Sequence, residues 1–61
     1  MSAYEYGREA FNNGFDAPVY DTDFLDEHIA GTHTGEAEKP LEEWMRGWHQ
    51  AKKEVEFLQS K

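Results

Sequence analysis

The chain has 61 residues, with two Trp, three Tyr and four Phe but no Cys, and its 13 acidic against 6 basic side chains give a net charge of −7. One small domain is the most this length allows, folding buries only about 60% of the surface such a chain exposes when unfolded, and neither a disulfide nor a thiolate zinc site can brace the thin core. No apolar run approaches the roughly 20 residues of a membrane span, so a cytoplasmic protein built on aromatic packing is expected.

In chain order, Ser2 with Glu5 fits a capping box, and Gly14 fits the residue just past a helix end. The first helix is therefore expected over 3–13. Ala3, Gly7, Ala10 and Gly14 recur at spacings of four, three and four, which lays a smooth stripe along one face, bordered by the rings of Tyr6 and Phe11.

The middle segment is the least regular. Pro18 biases Ala17 toward extended backbone, and Val19 and Tyr20 read as an anchor onto the core. Thr22 is placed to cap a short helix over about 23–30, with Phe24, Leu25 and Ile29 inward and Gly31 ending it. The stretch 31–39, polar and with two glycines, reads as a mobile loop.

Pro40 suits a first helical turn, Glu42 and Glu43 complement the positive end of the helix dipole, and Lys52, Lys53 and Lys61 the negative end. A third helix is expected over 40–59, packed antiparallel on the first. Leu41, Trp44, Trp48, Ala51, Val55 and Leu58 repeat at threes and fours, with Met45 widening the stripe. Gly47 interrupts strong helix formers at a cost of about 1 kcal/mol against Ala. The return for that cost is a gap between two indoles, into which the small stripe of the first helix fits. The predicted fold is all-α, with a structural core of Gly7, Ala10, Phe11, Gly14, Trp44, Gly47, Trp48 and Ala51. The end of the third helix, around Val55, Phe57 and Leu58, overhangs the shorter first helix and offers a contact for a second copy.

Three stretches resemble the ribosome modulation factor family of short bacterial proteins and its phage-borne relatives: GREAFNNG at 7–14, APVY at 17–20 and WMRGWHQA at 44–51. The resemblance implies two helices joined by a segment that packs back on them, and a non-catalytic protein that occupies a site on the ribosome. Family members of that kind are basic, whereas this chain is acidic and its first helix holds only Arg8 as a cation. The resemblance is therefore carried over as architecture, without RNA contacts.

The acidity belongs to the middle: residues 16–43 hold nine acids against Lys39. The sign of that charge argues against direct nucleic-acid binding through that segment, since phosphate affinity comes largely from Lys and Arg. Asp16, Asp21, Asp23, Asp26, Glu27, Glu36, Glu38, Glu42 and Glu43, interleaved with Tyr20 and Phe24, are expected to form a face that suits a basic groove on a nucleic-acid-handling protein. In composition the chain resembles phage-encoded inhibitors that mimic nucleic acid. The alternative is ribosome association through Arg46, Lys52, Lys53 and Lys61.

His28, His33 and His49 lack the tight ligand spacing of a zinc site. The run 21–27 lacks the third ligand position and the central glycine of a calcium loop. Ser2 and Ser60 are the only serines, both terminal, so no nucleophilic triad is expected. No catalytic residue, metal or cofactor is expected.

Overall fold

A computed structural model describes residues 1–32 and 35–59; His33, Thr34, Ser60 and Lys61 lie outside it, and with them part of the expected loop over 31–39. The described residues form an all-α fold without strands. Helix α1 spans Ala3–Asn12, a 3-10 turn spans Pro18–Tyr20, and α2 (Thr22–Phe24) runs directly into a π-helical turn over Leu25–Ile29. Helix α3 spans Glu38–Gln59. At 22 residues α3 is about 33 Å long. It begins two residues before Pro40, which is tolerated in a first turn because its missing N–H would have no intrahelical acceptor there.

Both ends of α1 follow their sequence signals. Glu5 N–H donates to Ser2 Oγ at 3.1 Å and Ser2 N–H to Glu5 Oε1 at 3.2 Å, a complete capping box. At the other end Gly14 adopts φ +85°. Its N–H reaches the Phe11 carbonyl at 3.2 Å, and Phe15 N–H reaches the Ala10 carbonyl at 2.9 Å. This is a Schellman stop, and glycine enters the left-handed region without the Cβ penalty.

Helices α1 and α3 pack together, and two glycines set their distance. A Cβ on Gly7 would run into the Trp44 carbonyl and lie 2.9 Å from Trp48 N; one on Gly47 would run into the Tyr4 carbonyl and lie 3.1 Å from Arg8 N. Each glycine therefore sits directly against the other helix's backbone, in reach of weak Cα–H···O contacts. Ala3, Ala10, Trp44 and Ala51 are buried alongside. Phe11 and Trp48 are half-buried and meet edge to face at 5.3 Å between ring centroids. Gly14 departs from the expected core. It is exposed, and a Cβ there would meet nothing within 4 Å, so it serves the turn rather than the interface.

Candidate protein-binding surface

The middle segment is pinned from inside by Phe24, inward as the short helix requires, and by Asp21, which charge patterning places at the surface. Asp21 is only 6% exposed. Its Oδ2 accepts from Trp44 Nε1–H at 2.9 Å and its Oδ1 from Phe24 N–H at 3.4 Å, so it caps α2 while satisfying the indole of a fully enclosed Trp44. The cap is thus Asp21 rather than Thr22. Phe24 is fully enclosed, its ring 6.0 Å from Tyr6 and 6.2 Å from Trp44. Asp21 and Phe24 therefore leave the predicted acidic face: a buried carboxylate persists where donors compensate its desolvation, as the indole and a backbone amide do here. The other indole holds the start of the segment, with Trp48 Nε1–H donating to the Phe15 carbonyl at 2.6 Å.

With the inward residues fixed, the outward ones are specified. Val19 and Tyr20 do not anchor the core; they are 65% and 63% exposed on the turn that Pro18 begins. Asp16, Asp23 and Asp26 are exposed, and among the described residues no cation pairs with them. Glu27, on the same π-helical turn as Asp26, is engaged. It accepts from the Met1 ammonium at 3.3 Å, and its carboxyl is held below the ordinary glutamate value first by the Tyr6 hydroxyl and then by that ammonium. The same contact pushes the Tyr6 phenol up to about 12. His28 closes the turn, with Nε2 2.8 Å from the Met1 carbonyl and its ring against Tyr6 and Phe24.

On α3, Glu42 and Glu43 lie 3.1 and 4.0 Å from Arg46, which draws their charge into local pairs. Glu36 and Glu38 are exposed. The strongest link between the outer faces of α1 and α3 is bidentate: the Arg8 guanidinium donates to both Glu54 carboxylate oxygens at 2.8 and 3.2 Å. It holds Glu54 below its ordinary value, with Gln50 as the second donor. On α3, Arg46, Lys52 and Lys53 border an open cleft beside Tyr4, together with His49, Glu42 and Glu56. Lys52 Nζ also lies 5.6 Å from the Trp48 ring centroid. Among the described residues no three His, Asp or Glu side chains gather into a metal cluster. No described helix is long and apolar enough to cross a membrane.

The chain matches no protein-family model, no curated protein and no solved structure.

Proposed function

We propose that this is a non-enzymatic regulatory protein that binds a basic site on a nucleic-acid-handling protein, presenting an acidic surface in place of a phosphate backbone. The observation that carries the reading is the two-sided build of the middle segment. Asp21 and Phe24 face inward and fix the backbone, while Tyr20, Asp23 and Asp26 face solvent from the same few residues. A recognition element fixed in advance loses little conformational entropy on binding. An exposed aromatic among unpaired acids supplies both an anchor and electrostatic steering toward a cationic groove. The working acids are Asp16, Asp23 and Asp26, since Glu27, Glu42 and Glu43 are already paired.

The test is capture from bacterial lysate at low and high salt, with the retained protein identified and then challenged with duplex DNA or RNA as competitor. A partner released by salt and by nucleic acid, and lost with D23K/D26K or Tyr20→Ala, supports the reading. Retention that ignores salt and both variants overturns it. Retention of ribosomes, abolished instead by charge reversal at Lys52 and Lys53, would favour the ribosome-associated role that the family resemblance implies.

A further inference from the structure

Past the segment paired with α1, the end of α3 carries the largest exposed apolar side chains of the described residues, Phe57 at 74% and Leu58 at 70% exposure. With Gln50, Lys53 and Glu54 they line a shallow cleft. Residues 50, 53, 54 and 57 follow the i, i+3, i+4, i+7 spacing of a single helix face, and Leu58 flanks it. We infer that this face docks a second copy of the chain, with the two α3 helices antiparallel about a two-fold axis between Lys53 and Glu54.

Charge selects that occupant. Residues 50–59 hold two lysines and two glutamates, and Arg8 of α1 joins Glu54 there, so this patch carries none of the acidic excess of a molecule of net charge −7. Two copies approaching there avoid the acidic middle segments that repel elsewhere. A two-fold axis at this point sets Lys53 of each copy opposite Glu54 of the other, so the stripe is complementary to itself, as an isologous interface requires. It also sets each Phe57 over the other copy's Gln50, covering both rings. Glu54 keeps its Arg8 fork and its Gln50 bond, which take three of the about four acceptor positions of a carboxylate and leave one for the other copy's Lys53. A stable interface takes about 800 Å² from each partner. A four-residue face with one flanking leucine supplies less, so the dimer is weak and concentration-dependent.

Sedimentation equilibrium of the intact protein across roughly 1 μM to 1 mM tests this. The expected result is a monomer–dimer equilibrium whose dissociation constant rises at least about tenfold in F57S/L58S, at unchanged helical circular dichroism. Lys53→Glu and Glu54→Lys each weaken self-association, while a mixture of the two restores it, because only the mixed pair places opposite charges at both contacts. That rescue distinguishes a charge-matched interface from simple loss of folding. A monomer throughout the range overturns the inference and leaves the face to an unlike partner. A dimer indifferent to these variants, or a mixture without rescue, overturns it as well.

Discussion

The Trp44 indole donates its N–H to the carboxylate of Asp21 at 2.9 Å, with both residues sealed from solvent. The pair joins the middle segment to α3 at the centre of the core. Replacing Asp21 with Ala strands a buried donor, at about 1–3 kcal/mol, and removes the cap of α2, at about 1 kcal/mol. Asp21→Asn keeps a carbonyl acceptor and costs less. Urea denaturation of the two variants ranks them, and an Asp21→Ala variant as stable as the parent would show that the indole draws nothing from this carboxylate.

Alanine in place of glycine ordinarily strengthens a helix by about 1 kcal/mol. At Gly7 and Gly47 the opposite is expected, because the added methyl meets a backbone carbonyl that cannot swing aside. Losses of about 1–3 kcal/mol, and unfolding for Gly47→Leu, follow from overpacking. Gly14→Ala also destabilises, by about 1 kcal/mol through its positive φ, and Gly14→Asn recovers part of that. Thermal melts of the five variants separate the two mechanisms. Neutral substitution at Gly47 would remove the close approach of the helices.

Stability should fall at both ends of the pH scale through one contact. Glu27 is depressed, so its contribution is present above the ordinary glutamate range and disappears as pH drops through its lowered value. Tyr6 is raised from 10.0 to about 12, so its contribution is present below pH 10 and is lost between about 10 and 12. Tyr6→Phe flattens the alkaline loss and shrinks the acid one. Melting temperature against pH for the two proteins checks this, and superimposable profiles would refute it.

The Arg8–Glu54 fork joins two helices at their rim, with both side chains more than a third exposed. Solvent screens such pairs. Arg8→Gln should lower stability less than Asp21→Ala, and the difference from the parent should vanish in high salt. A loss that persists in high salt would mean that the stem of Arg8, rather than its charge, matters at this site.

Surface acids and the interior aromatic of the middle segment should part company. D23K/D26K leaves the melting temperature nearly unchanged while removing partner capture, whereas Phe24→Ala costs about 3–5 kcal/mol whatever it does to binding. Circular dichroism melts beside the capture assay report both. If D23K/D26K unfolds the chain, the outward placement of those acids is wrong.

The small-residue spacing of α1 and the W-x-x-G-W pattern of α3 were enough to place the stripe holding Gly7 against the gap at Gly47, because a glycine amid strong helix formers demands a steric reason. The capping box and the Gly14 stop were equally legible as local chemistry. Asp21 was not, whereas Phe24 is buried as the short helix required and only its place on the acidic face fails. A net charge assigns every acid of a run to the surface, and the burial of one of them depends on an indole 23 residues away. One local clue existed: Asp21 stands three residues before Phe24, the spacing of a cap and the amide it accepts from. Val19 failed in the opposite sense: hydrophobicity sent it and Tyr20 inward, while the turn begun by Pro18 turns both out, which agrees only with the place of Tyr20 on the acidic face.

Because one indole grips Phe15 and the other Asp21, the two tryptophans clasp the acidic segment at two points near its start. They are the chain's only tryptophans. Intrinsic fluorescence therefore reports on that clasp without any label: a ligand that seats on the segment leaves the emission blue, and one that peels it from α3 wets both rings and shifts the spectrum to the red.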